Sequence, residues 1–343
     1  MRLHGPLSLL IASVGLASSA GGMEILYIHN TNSGTISKVS IPEHEVVGEI
    51  EIGFFTDYLA SSPDGQVLYV NRIESIAPVE QKLNIGVSGE MIAVDTQTDR
   101  ILWRMDLDGM PHHMSVSKDG KRMFVPYYDT WWIAVIDLEK HQVIHKILNG
   151  HGSHGTKLSR DGNLLYVGSM MNDHLTMIDT KTFDIVGRVS FRDGVRPFAI
   201  TADGKRAYVQ QSWLHGFVVV DLEKRDKLRT VMLPDADAVP VDDTYPQDVN
   251  HGIALTRDES LLLVNASVYG YLAVYSHPAL ELLATIPVGT DPNSIASSGD
   301  GRYAYVSNRR SDDLSVIDIA ARKEIKRIPL GEKPQRMVVI DVP

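Results

Sequence analysis

A short turn motif, Ser/Thr-x-Asp-Gly, recurs along the chain: SPDG ending at Gly65, SKDG at Gly120, SRDG at Gly162, TADG at Gly204 and SGDG at Gly301. TRDE, with Asp258 and Glu259, is a degenerate sixth copy. The turn Asp residues stand at 64, 119, 161, 203, 258 and 300, with separations of 55, 42, 42, 55 and 42 residues. A period near 42 constrains the fold more than any other property. Each unit must be one supersecondary block that buries its apolar face only against its neighbours.

The content of one unit follows from what flanks the turn. Asp-Gly between apolar runs marks a hairpin, because Gly adopts positive φ without a Cβ clash. Runs such as FAIT precede the turn, and LLYVGS, AYVQQ and YAYVSN follow it. Alternating runs ending in Asp or Ser come next (IAVID, LTMID, FVVVD), then a fourth strand such as IVGRVSF or IKRIPL. β-Branched residues dominate and no helical period is sustained. The unit is therefore a four-stranded antiparallel sheet, and repetition about an axis gives an all-β propeller. Six turns make six blades. The seventh is composite: RMVVIDV at the C-terminus supplies its inner strand, and EILYIHN, TISKVSI and VVGEIEI supply the others. The expected fold is a seven-bladed β-propeller over residues 21–343, closed by both chain ends in one blade.

These units resemble the YVTN-type propeller repeat, most clearly in RYAYVSNRRSDDLSVIDIAARKEIKRIPLG and in LLYVGSMMNDHLTMIDTKTFDIVGRV. The resemblance implies the propeller fold and leaves activity open, since propellers host unrelated functions. Similar repeats occur in surface and secreted proteins and in haem-d1 domains, the cytochrome d1-like propellers.

Residues 1–20 (MRLHGPLSLLIASVGLASSA) carry Arg2, an apolar stretch over Leu7–Leu16 and small residues at Ser18 and Ala20, the pattern of a signal peptide. Later segments contain no integral membrane span, so a secreted or periplasmic protein is expected. The formal net charge of −10 excludes a broad nucleic-acid-binding surface, and the absence of cysteine excludes disulfides, thiolate metal sites and cysteine nucleophiles. That leaves 13 histidines as the soft ligands.

Seven residues before each turn Asp lies the start of an inner strand: Asp57, His112, His154, Arg196, His251 and Asn293, matched by Gln335 in the closing strand. All are polar and ring the channel mouth. His112, His154 and His251, with His151 from the glycine-rich HGSHG loop, are candidate ligands for zinc, copper or iron, or for a haem-type cofactor. Alternation should turn His112 or His113 away from the channel, and His112 is the expected inward residue. Arg196 suits a carboxylate, phosphate or propionate. Trp131, Trp132, His174 and His215 fall on loops of the same face and, with Asp57 and Arg196, form the expected cofactor-binding wall. Asn172, Asp173, Tyr269, Tyr271, Arg309 and Arg310 share it. The two 13-residue excesses, within Arg72–Glu90 and Leu233–Asn250, are lid candidates on this face. Asp235, Asp237, Asp242, Asp243 and Asp248 lie in the second, without a calcium-loop pattern. His29, His44, His141, His145 and His277 read as ordinary outer residues.

The expected function is an exported binding propeller that holds a metal ion or metal-containing cofactor at this mouth. A metal-assisted lyase, hydrolase or oxidoreductase on the same face is the alternative, and a protein-interaction propeller the third. A small molecule at the funnel is the expected partner. No nucleophile elbow, phosphate loop or His-Glu-x-x-His motif is present.

Overall fold

The computed structural model describes residues 23–41, 43–73, 88–235 and 249–343. The segment 1–20 and most of both lid candidates lie outside the described residues, as do Asp237, Asp242, Asp243 and Asp248.

Strands β1 to β28, numbered in chain order, form seven four-stranded sheets. The sheets are the seven blades of an all-β propeller. The second blade shows the plan: β4 (Thr56–Ser61), β5 (Val67–Ile73), β6 (Gly89–Asp95) and β7 (Ile101–Leu107) pair in sequence order. The closing blade runs β28 (Pro334–Val342), β1 (Met23–Asn30), β2 (Thr35–Ile41), β3 (Glu45–Glu51). In it Met23 pairs with Val342 and Ile28 with Met337, so the two ends of the chain are joined by backbone hydrogen bonds. Closure of this kind leaves no inner edge strand unpaired.

The turn motif works as a small hydrogen-bond device. Ser117 Oγ donates to Asp119 Oδ1 at 2.6 Å, and Asp119 Oδ1 accepts the Lys121 N–H at 3.1 Å. Ser117 Oγ in turn accepts the Arg122 N–H at 2.9 Å. The same set recurs at Ser62–Asp64, Ser159–Asp161, Thr201–Asp203, Thr256–Asp258 and Ser298–Asp300. Gly301 follows its turn Asp at φ 73°, whereas the degenerate copy forces Glu259 to φ 55°.

The core lies between blades. Ile25, Tyr27 and Ile36 of the closing blade pack on Leu59, Leu68 and Val70 of the next, and six further layers repeat this around the ring. Inner strands therefore have little apolar duty on their channel side, which leaves their first residues free to be polar.

Candidate functional site

The inner strands β4, β8 (Ser115–Val116), β12 (Ser153–Leu158), β16 (Val195–Ile200), β20 (Ile253–Leu255), β24 (Pro292–Ser297) and β28 converge on the axis. The predicted polar ring stands at their funnel ends. Asp57 Oδ2 lies 3.0 Å from His112 Nδ1, across a blade junction. The His112 and His154 rings are 4.7 Å apart. His251 Nδ1 lies 3.0 Å from the Asn293 carbonyl oxygen, and Gln335 Nε2 donates to Thr31 Oγ1 at 2.9 Å. Arg196 Nε donates to Ser212 Oγ at 3.0 Å. His154 Nδ1 and both amide atoms of Asn293 are buried with no partner among the described residues. Each such atom costs on the order of 1–3 kcal/mol, so the ring is not built for stability.

One residue further along each inner strand lies a second ring, which lines a cavity of about 200 Å³ on the axis. Tyr58, His113, Gly155, Pro197, Gly252, Ser294 and Arg336 supply its seven positions. His113, rather than His112, thus faces the cavity. Strand β8 begins only at Ser115, so the alternation used to orient this pair does not yet hold at 112–113. His113 stacks on Tyr58 at 4.5 Å, with its ring 4.2 Å from that of His154.

Arg336 is the residue that sequence reasoning missed. Its Nη2 lies 2.8 Å from His113 Nε2 and 2.7 Å from His251 Nε2, joining residues 223 and 85 positions away. Its backbone N–H donates to His29 Nε2 at 3.0 Å, and His29 Nδ1 lies 3.1 Å from Thr56 Oγ1. His29 is therefore no ordinary outer residue. It is fully buried behind the guanidinium and fixes the strand that carries it. The signal was a lone basic residue in the closing strand, one place past Gln335.

Burial drives the titration of this cluster. It pushes His29 down to about 4, helped by the Arg336 charge. It holds His113, His154 and His251 well below the usual imidazole value, with Arg336 again adding to the effect. These rings are neutral at pH 7. Burial alone would raise Asp57, but the charge and hydrogen bond of His112, with Arg336, hold its carboxyl below the ordinary value. Asp57 is the carboxylate of the mouth.

The other predicted residues divide. Trp131 and Trp132 are exposed on the funnel face, joined by exposed Phe54, Phe55, Met171 and Trp213. His151 Nδ1 meets Met171 Sδ at 3.1 Å on the same face, and His174 contacts the Asn172 carbonyl. His215 is buried: it meets Asn250 Oδ1 at 2.8 Å and the Pro234 carbonyl at 2.9 Å, so it anchors a loop rather than opening on the funnel. Arg309 pairs with Asp291 at the rim, at 2.8 Å. A wider groove of about 760 Å³ runs beside Trp213, Lys227 and Arg229 on an outer strand, away from the polar ring.

Among the described residues no group of three or more His, Asp or Glu side chains is arranged to hold a metal ion. The reason is visible in the geometry. Arg336 puts a fixed positive charge where His113 and His251 converge, and Asp57 occupies His112. The donor set does not fit a bare cation. Nor does a 200 Å³ cavity enclose a tetrapyrrole, being below the roughly 300–1,000 Å³ of ordinary ligand pockets.

The fold and this axial site define a seven-bladed propeller with a charged, funnel-mouthed channel. The model of the lactonase, seven-bladed β-propeller family matches residues 26–329, and the chain belongs to that family. Its sequence matches no curated protein. A periplasmic gluconolactonase of Pseudomonas aeruginosa has the same fold at 19% identity and a TM-score of 0.72, covering 94% of this chain and 100% of that one. A putative 6-phosphogluconolactonase of Bacteroides fragilis gives 16% and 0.73, covering 95% and 99%. A dihydro-haem d1 dehydrogenase gives 12% and 0.61, covering 89% of this chain and 63% of that one. The sequence resemblance thus resolves to a lactonase-family propeller, with d1-type propellers as fold neighbours. No helix among the described residues is long and apolar enough to cross a membrane.

Proposed function

We propose that this protein is an exported hydrolase that opens a small cyclic ester, a lactone, at the funnel mouth. The observation that carries the reading is the Asp57–His112 pair, at 3.0 Å, with the charge of Arg336 acting on the Asp57 carboxyl. With Nδ1–H donating to the ionised Asp57, the lone pair of His112 is on Nε2, the form of a general base. Nε2 takes a proton from water as the water oxygen bonds to the lactone carbonyl carbon. The carbonyl oxygen gains negative charge, which a guanidinium in a confined site stabilises. On collapse the ring C–O bond breaks and the departing oxygen takes the proton back from His112. Water has been added and nothing else is released, leaving a hydroxy acid. Family membership and the Pseudomonas gluconolactonase neighbour support this chemistry, and the periplasmic location of that neighbour supports export.

Hydrolysis of glucono-δ-lactone, corrected for its spontaneous opening, tests the reading. His112→Ala is expected to lose about 10²- to 10⁴-fold in kcat/KM, while a chelator leaves the wild-type rate unchanged. Wild-type activity no greater than background, or a fully active His112→Ala, removes the proposal. Activity lost to chelation and restored by zinc would instead favour a metal held by His112, His154, His251 and His151.

A further inference from the structure

Two residues before each mouth position, the seven blades present a further set of side chains. Five of the seven are small or apolar, from Phe55 and Met110 round to Val249, and the other two are Asp291 and Lys333. The charged two stand in neighbouring blades, where Arg309 already holds Asp291 at 2.8 Å. Phe55 and Met110 instead lead into Asp57 and His112, so the reacting pair has an apolar approach. Phe55 is held at φ 62°, the left-handed region that Gly152 fills at 77° in the equivalent place. That backbone costs a bulky residue free energy, yet the side chain is 39% exposed and adds little to packing. Local stability does not explain a phenyl ring there. From Met110 the wall continues outward. The Tyr128 N–H donates to the Met110 carbonyl at 2.9 Å, and the Gly152 N–H to the Tyr128 carbonyl at 3.0 Å. The Tyr128 ring lies 5.1 Å from that of His112. Met171 covers Gly152 so closely that a Cβ there would come within 2.6 Å of the Met171 side chain. Trp131, whose carbonyl accepts the Gly150 N–H at 3.1 Å, is exposed like Met171. Aromatic rings and a thioether thus lead from His112 to the rim on one side of the funnel.

We infer that this wall is a subsite for an apolar substituent of the lactone, an alkyl chain or an aryl ring, which lies against Phe55, Met110, Tyr128 and Met171 while the ester carbonyl meets His112. The inference rests on the proposed reaction for the position of the reacting end, and it assigns a substrate class, a lipophilic lactone rather than a polyhydroxylated one. Exposed apolar side chains gathered beside a few polar groups mark a ligand surface. A polyol laid along them would exchange hydrogen bonds to water for none. An alkyl or aryl group gives up no hydrogen bond and removes apolar area from water. Methionine side chains adapt to occupants of differing shape. Continuity with His112 fixes what the occupant is, since a group in that place is covalently joined to the ring being opened.

Six-membered lactones with a methyl, propyl or pentyl group on the carbon next to the ring oxygen measure the wall, because their ring chemistry is the same. For the wild-type protein, kcat/KM corrected for spontaneous opening should rise about two- to fourfold per methylene, so that the pentyl lactone exceeds the methyl one about fifteenfold or more. Phe55→Asn, which suits the left-handed backbone, combined with Met171→Ser should cut that ratio about fivefold or more, and Met171→Leu should keep it. If the double variant does not fold, Met171→Ser alone, at an exposed position, must lower the ratio. A wild-type ratio near one, or a ratio that the variants leave unchanged, overturns the subsite. Calorimetry with the two product acids, 5-hydroxyhexanoate and 5-hydroxydecanoate, separates this from the reaction itself. A protein that opens no lactone yet prefers the longer acid, and loses that preference in the variants, overturns the reaction and keeps the subsite. A lactonase with a ratio near one does the reverse, and neither hydrolysis nor preference overturns both.

Discussion

The two ends of the channel are built on opposite principles. At the turn face, six near-identical Ser/Thr-x-Asp motifs satisfy their own donors and acceptors, each within a few residues. At the funnel face the blades contribute different residues, only His154–Gly155 and His251–Gly252 repeating a pair, contacts cross from blade to blade, and buried polar atoms on His154 and Asn293 have no partner among the described residues. One end spends its polar groups on local structure. The other assembles them at some cost in stability, and an arrangement of that kind is what a binding or reacting site requires.

The sharpest way to break this comparison is at the funnel. His112→Ala, with a loss of about 10²- to 10⁴-fold in kcat/KM, should leave the thermal midpoint within a few degrees of wild type. An equal loss from Ser117→Ala would show that the two faces do not differ as described.

Acid should separate the ends next. His29 is held neutral down to about 4, against an ordinary value of 6.5. Between those values the unfolded chain binds a proton that the folded chain does not, so stability falls as pH drops through this window, by about 3 kcal/mol at the limit. Asp57, Arg336 and Lys333 are the charged groups that act on this imidazole. The turn carboxylates behave differently. Serine and backbone hydrogen bonds hold Asp161 at about 2, below the ordinary 3.8. Its contribution is intact above 3.8 and disappears only as pH falls toward 2. Denaturant midpoints across pH 7 to 2 should therefore fall in two stages, the first shared by His29, His113, His154 and His251, and His29→Gln should remove its own part of it. A midpoint flat from pH 6.5 to 4 would show that the funnel cluster is not held neutral.

Smaller effects test the turn face. Gly301 sits at φ 73°, and a Cβ there would meet nothing within 4 Å. Gly301→Ala isolates the left-handed backbone penalty and should cost about 1 kcal/mol. Ser117→Ala removes one acceptor and one donor of an exposed turn and should cost on the order of 0.5–1.5 kcal/mol, with lactone hydrolysis unchanged. Urea unfolding measures both, and a change in kcat for either would link the faces.

How much of this was legible in the sequence follows the same division. The turn device is local, so its spacing led directly to blade count, strand order and the closing blade, and the structure agrees. The mouth ring was legible by counting back from the turns, because strand ends recur in register. The orientation of His112 against His113 was not, since alternation is undefined before the two-residue strand β8 begins. His215 looked like a funnel residue until Asn250 and Pro234, far along the chain, claimed both its nitrogens.

The sequence by itself determined the repeat, the fold and the choice of polar residues at one end of every blade, because those follow from a pattern that recurs about every 42 residues. Only the tertiary structure decided what the polar residues do. Ring closure carries Arg336 from the last strand to His113 and His251, 223 and 85 positions away, and buries His29 beneath it. A fixed positive charge at that point turns a set of histidines that reads as a metal site into one suited to an anion. No local pattern encodes it, since it depends on which blade closes the ring against which.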